Sequence, residues 1–333
     1  MKKKYQIGLT LIELMFGLAI SLLMTLVISS VYVNSKKTFI VQDSVSRLQE
    51  NARSGIDQLE DNIRMAGFLG CRGQSLKLIN TLKTDTGMLF NYPLGVSNLS
   101  IKNNITPVTN SDIVTIWTAD SEDYPLIEPM TSVTDSPIIS KNNSFSIGDI
   151  VLITDCNAHT LFKISQLSPV ATGVGLGHSL TVNTTDTFHY KYTPDASIYS
   201  VKAQTFYIAP GYANNGTNSL WRYCMPSCYG NSNLNPVNNE EVIKGVEKMR
   251  ILYGIDQDNN NSIDEYKLSN KVLADEWSKV ISLKIHLLLV SNKDSITVNQ
   301  ELPFDFAGEK ITANDRKLRI PFKTVVTLRN RAF

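Results

Sequence analysis

Glu13 is the only charged residue in an otherwise apolar run from Leu9 to Val33. A carboxylate at the centre of a membrane-crossing helix costs about 2.5–3.5 kcal/mol on insertion scales, so such a group needs a cation, a donor or a route to water. A second set of oxygens lies far along the chain. Asp256, Asp258, Asn260, Ser262 and Asp264 stand at alternate positions, a spacing that serves a hard cation such as Ca²⁺, which takes about six to eight oxygen ligands. Sulfur chemistry is confined to Cys71, Cys156, Cys224 and Cys228. The four histidines, His159, His178, His189 and His286, are scattered without the paired spacing of a zinc site. No nucleophile elbow and no phosphate-cradling glycine loop accompanies them, so an enzyme is not expected.

The element that positions Glu13 is the apolar run itself. It is about 25 residues long, against roughly 20 needed to cross a bilayer core as a helix. Lys2, Lys3 and Lys4 precede it, and a basic cluster on that side keeps its end cytoplasmic and sends everything after Val33 outward. In an ordinary secretory signal the cleavage site follows a shorter apolar core. Here the candidate cut, Gly8-Leu9, precedes the run, so cleavage would discard the lysines and keep the helix. Glu13 would then be the fifth residue of the mature chain, within reach of a new terminal amine on a neighbouring subunit. An anchor helix whose Glu13 snorkels to the interface is the plainer alternative.

Beyond the run, Val41, Val45, Leu48, Ala52, Ile56, Leu59, Ile63 and Ala66 recur at steps of three and four and draw one apolar stripe on a helix. Arg47, Glu50, Arg53, Asp57, Glu60, Asp61 and Arg64 occupy the other faces. Proline is absent from Leu9 to Ala66, and Gly67 and Gly70 offer a stop. The spacing predicts one continuous helix of roughly 90 Å, its first half in a membrane or filament core and its second half on a globular head.

After Gly73 short alternating runs separated by Asn, Asp, Ser, Gly and Pro predict strands at Asp112–Trp117, Asp149–Thr154, Val201–Ala209, Ser219–Tyr223, Met249–Ile255, Val280–Val290 and Ile320–Leu328. In the sixth, Ile281, Leu283, Ile285, Leu287 and Leu289 share a face, which suits an antiparallel sheet lying on the helix. Tyr212 to Asn239 reads as an exposed loop. The expected fold class is α+β: a long N-terminal transmembrane and amphipathic helix packed on a large antiparallel β-rich head. Its expected divisions are a leader over 1–8, a membrane and filament-core half over 9–33, an amphipathic half over 34–70, and a head over 71–333.

The 333 residues, 42 % hydrophobic and 19 % charged, are enough for a buried core. Net charge is +1, and loss of Lys2 to Lys4 makes it −2, so the exported part has no global cationic excess for nucleic acid. In an oxidising compartment four cysteines invite two disulfides. Cys224 and Cys228 are close enough to close a small loop, which would leave Cys71 and Cys156 to tie the helix end to a strand; other connectivities and free thiols stay open. In the acidic segment Asp256, Asp258, Asn260 and Asp264 match positions 1, 3, 5 and 9 of an EF-hand-like loop, with Ser262 offering its carbonyl. Asn261 stands where the turn glycine belongs and Lys267 where the bidentate acid belongs, so a polar hairpin turn is the competing reading.

The segment Gly8-Leu9-Thr10-Leu11-Ile12-Glu13-Leu14-Met15 resembles the class III prepilin signature. That resemblance implies cleavage by a prepilin peptidase after Gly8 and N-methylation of the new terminus, here Leu9 where phenylalanine is usual. Further segments look like the PilW family of type IV pilus minor pilins: Gln49-Glu50-Asn51-Ala52-Arg53, the stretch from Asp61 to Cys71, Gly148-Asp149-Ile150-Val151-Leu152 with Asp155-Cys156, Gly245-Val246-Glu247-Lys248-Met249 with Leu252-Tyr253-Gly254, and Leu328-Arg329-Asn330-Arg331. The likeness spans both ends and the middle and leaves roughly 75–110 and 212–239 unmatched. It implies a type IV pilin-like subunit of the inner membrane with a periplasmic head, later in the pilus, its tip included. Its partners would be other minor and major pilins, the peptidase, the inner-membrane assembly machinery and membrane lipid, and its role to prime assembly. A type II secretion pseudopilin, or a tip module binding a receptor, are the alternatives.

Overall fold

The computed structural model describes residues 10–71, 78–83, 94–95, 106–212, 216–225, 238–294, 304–313 and 315–331. One helix, α1 (Leu11–Arg64), runs unbroken for 54 residues. From Leu11 to Ile40 every residue is exposed; Leu48, Ala52, Gly55, Leu59 and Ile63 are buried. The burial follows the predicted stripe and adds Gly55 to it.

Two sheets share a core with the lower half of α1. The larger has the order β1 (Leu78–Asn80), β6 (His159–Lys163), β5 (Ile150–Thr154), β9 (Ser197–Pro210), β10 (Asn218–Met225), β11 (Asn239–Lys244). Strand β3 (Val114–Pro125) pairs with β9 and carries β2 (Leu94–Gly95). Its one parallel pairing joins β1 to β6. The smaller sheet is fully antiparallel, in the order β13 (Glu265–Leu268), β12 (Val246–Ile255), β14 (Val280–Asp294), β17 (Lys317–Thr327). Leu48, Ala52, Leu59, Ile63 and Ala66 enter one cluster with Ile116 and Phe206 of the first sheet and Ile251, Leu283 and Leu287 of the second. Burying each large aliphatic chain there contributes about 1.5–3 kcal/mol.

Each predicted strand falls on an observed one. The alternation did not anticipate a three-stranded sheet of β4 (Ile138–Ile139), β8 (Val174–Gly177) and β7 (Gln166–Pro169), or a hairpin of β15 (Phe304–Phe306) and β16 (Glu309–Ile311). The three-stranded sheet belongs to a second cluster that includes Phe162, Phe188, Tyr192 and Ile198.

The end of α1 is closed by distant parts of the chain. A helix leaves its last carbonyls without intrahelical donors; here Arg329 N donates to Arg64 O at 3.2 Å and Asn330 Nδ2 to Met65 O at 3.2 Å. Gly67 takes the left-handed conformation (φ 76°) that turns the chain out of the helix, and its N–H donates to Trp117 O at 2.9 Å. The C-terminal strand's exit thereby caps the helix.

Gly55 fits for want of a side chain: a Cβ there would stand 2.0 Å from Cγ1 of Ile243 on β11. Alanine normally favours a helix interior over glycine by about 1 kcal/mol. At this site overpacking prevails, and Gly55→Ala is expected to destabilise the protein by about 1–3 kcal/mol. Thermal denaturation checks it, and pairing the change with Ile243→Ala should cost less than the two single losses added together.

Candidate functional site

The chemistry of the exposed half of α1 is concentrated at its tip. Thr10 is the N-cap, and its Oγ1 accepts from Glu13 N at 3.3 Å. Glu13 Oε2 accepts in return from Thr10 N at 3.2 Å and from Thr10 Oγ1 at 3.1 Å. This reciprocal capping box satisfies donors that the helix start would leave open, and it puts a carboxylate where the helix dipole favours one. Thr10 was legible as a cap from the Thr-x-x-Glu spacing, although the apolar run drew weight to Glu13 alone. Gly8 and Leu9 lie outside the described residues.

Above the tip, three hydroxyls of the apolar run bond back to the helix. Ser21 donates to Leu18 O at 2.9 Å, Thr25 to Ser21 O at 2.8 Å and Ser30 to Val27 O at 2.8 Å. Their polar hydrogens are thus used within the helix, leaving an apolar exterior suited to a medium without water. By length and composition this helix is able to cross a membrane.

The cysteines sit where the helix meets the head. Cys71 and Cys156 form a disulfide that joins the chain just past α1 to the β5–β6 turn. Cys224, on β10, is also disulfide-bonded, and Cys228 lies outside the described residues.

In the acidic segment Asp256, Asp258 and Asp264 bring carboxylate oxygens within 4.8 Å of one another, Asp256 buried and the other two exposed. Asn259 and Asn261 are left-handed at φ 58° and 63°. Asn261 thus adopts the conformation its position asks of glycine, which asparagine tolerates better than most residues. The loop's own donors reach the oxygens: Asn260 N and Asn261 N bond Asp256 at 3.1 and 2.8 Å, Gln257 N bonds Asp264 at 2.7 Å, and Ser262 N bonds Asn260 Oδ1 at 2.7 Å. Lys267 stands in ion pairs with Glu265 and Glu276, at 2.8 and 2.7 Å, and contributes a charge of the wrong sign for a ligand. The segment therefore holds its shape as a hydrogen-bonded turn between β12 and β13.

The architecture is α+β: a long helix, bare for its first half and sheathed by largely antiparallel sheets for its second. In the second half of the head, residues 205–330 match the family model described as Type IV Pilus-assembly protein W. That span is somewhat over a third of the chain and runs from β9 to the Asn330 cap. No curated protein matches the chain. Among solved structures it is similar to a type IV-like pilin from Thermus thermophilus, at 14 % identity and a TM-score of 0.39, over 86 % of this chain and 98 % of that one.

Calcium raised to the millimolar range should leave the melting temperature unchanged. A saturable rise, abolished by Asp256→Asn, would instead make the turn a metal site, because a ligand that binds only the folded state raises its stability with concentration.

Proposed function

We propose that this protein is a minor pilin that takes part in priming type IV pilus assembly through its helix. The observation that carries the reading is the division of α1: Leu11 to Ile40 bare and mostly apolar, Leu48 to Ile63 locked into the head. A rod built in one piece with its head can be drawn from a bilayer into a bundle of similar rods without unfolding.

In this reading a prepilin peptidase cuts between Gly8 and Leu9 and the new terminus at Leu9 is methylated. The subunit sits in the inner membrane with its head in the periplasm, then passes into the pilus among other minor and major pilins. Glu13 sets axial register by pairing with a neighbour's terminal amine. The Thr10 donors at 3.1 and 3.2 Å support this: they hold the carboxylate at the helix tip while the subunit is alone, and an ammonium can replace them, adding the attraction of opposite charges that a neutral donor lacks. Nothing in this role calls for catalysis. The PilW-family match over residues 205–330 supports the assembly role.

Glu13→Ala should lower surface piliation several-fold while the head stays folded, as judged by the intact Cys71–Cys156 disulfide and an unchanged melting temperature. Normal piliation in that variant would defeat the register mechanism. Mass spectrometry of the protein from pilus-assembling cells is expected to find an N-methylated Leu9 terminus; an attached octapeptide would defeat the reading as a whole.

A further inference from the structure

Behind the Cys71–Cys156 disulfide lies a hydroxyl and an imidazole that the pilin reading does not use. Cys71 Sγ is 3.8 Å from Thr154 Oγ1, and the same oxygen is 2.7 Å from His159 Nδ1. Thr154 and His159 are both 2 % exposed. Cys156 is exposed, on the turn between β5 and β6, and its N–H donates to Thr154 Oγ1 at 3.1 Å. The turn is held by Asp155 Oδ1, which accepts from Asn157 N at 2.9 Å and Ala158 N at 2.8 Å.

A hydroxyl has one hydrogen and two lone pairs. The Cys156 N–H occupies one lone pair of Thr154, so one hydrogen and one lone pair remain to serve the sulfur and the ring. With Cys71 as a thiol, S–H donates to Oγ1 and Oγ1–H donates to Nδ1. With Cys71 in the disulfide, sulfur can only accept, and the chain runs the other way, from Nδ1–H through Oγ1–H to Sγ. Closing the disulfide therefore removes the S–H donor: its proton can leave through Oγ1 to Nδ1, and the ring returns to neutral by giving up its Nε2 proton. Burial lowers the His159 pKa, opposed by the neighbouring Asp155, which keeps the ring neutral and able to accept.

We propose that Thr154 and His159 form a proton relay that ionises Cys71, making it the resolving thiol when this disulfide closes, while exposed Cys156 is captured first by the oxidant. The oxidant is of the disulfide class, an oxidised dithiol protein or a small disulfide. The Cys156 thiolate attacks one oxidant sulfur, forming a mixed disulfide and releasing one thiolate. The Cys71 proton passes through Thr154 to Nδ1, and the Cys71 thiolate attacks Cys156 Sγ. That breaks the mixed disulfide, releases the second oxidant thiolate and forms the Cys71–Cys156 bond. Two protein thiols are oxidised, one oxidant disulfide is reduced, and the two protons end on the departing thiols by way of solvent. The geometry assigns each step to the cysteine that can perform it: the oxidant needs access, which Cys156 has, and the thiolate is the nucleophile, which the relay supplies at Cys71.

The test uses the full chain, reduced in detergent and reoxidised with glutathione disulfide, with closure followed by alkylation and mass spectrometry of the Cys71 and Cys156 peptides. Thr154→Val should close this disulfide at least about a hundredfold more slowly, the low end of general-base assistance, and Thr154→Ser should restore the rate to within about twofold. Early quenching of the unsubstituted chain should find glutathione on Cys156. Closure of Thr154→Val at the unsubstituted rate, an equally slow Thr154→Ser, or glutathione found first on Cys71 would each overturn the proposal. Because the capture order is read on the unsubstituted chain, it decides the matter even where Thr154→Val does not fold.

Discussion

The structure depends on how the lower half of α1 is seated between two sheets. Leu48, Ala52, Leu59 and Ile63 are buried by strands from both, so neither sheet has a complete core without the helix. The constraint runs both ways. A helix with thirty exposed, mostly apolar residues would not stay in register on a head that held it loosely, since its free half gains nothing from the head. The grip comes from close approach, with Gly55 against Ile243, and from polar ties such as the Thr324 hydroxyl bonded to Glu60 of the helix.

The chain just past the helix reinforces that seating at one place. Within a few residues of Arg64 it meets the Gly67 turn, the Asn330 cap and the Cys71 disulfide. Gly70, also left-handed, lies against the ring of Tyr199 on β9, and Phe68 meets the same ring edge-on. These contacts tie the helix end to β3, β5, β9 and the chain terminus, so four separate stretches must be in place before it is fixed. That arrangement makes α1 and the head one body, as a subunit held by its helix requires.

The parts legible in the sequence were those governed by local periodicity. The α1 stripe and the five alternating apolar residues of β14 declare their buried faces because each pattern repeats within a dozen residues. The features that were not legible depend on partners far away. Gly55 has no hydrophobicity to count, and only the approach of β11 shows why it is buried. On the second face of β14, Ser282 is buried with its hydroxyl on Val326 O, Lys284 stands 3.5 Å over the Tyr266 ring and His286 meets Phe306. Strand β13 and the β15–β16 hairpin roof that face, and nothing in the alternation of β14 announces them. Strands of two to four residues, as in the three-stranded sheet, are too short to carry a period at all. At the site, Thr10 went unread beside Glu13 although the Thr-x-x-Glu spacing marks a capping box, while Thr154 and His159 became neighbours of Cys71 only through the fold.

Glu13 raises the question of how a carboxylate can be tolerated in an apolar segment and still be free to act. A fully paired, buried charge would be inert, and an unpaired one would hinder insertion. The capping box lies between these limits. Its donors come from a single residue three positions away, so the bonds form with the helix itself and need no other chain, and the N-terminal dipole adds about 0.3–1 kcal/mol. They are neutral donors at 3.1 and 3.2 Å, and an ammonium adds the attraction of an opposite charge that they lack. A cation arriving at the same height can therefore take the carboxylate without unwinding the helix, since the Thr10 hydroxyl can keep its bond to Glu13 N. In the proposed assembly role, the local cap thus makes the lone subunit tolerable, and its weakness relative to an ion pair leaves the carboxylate available.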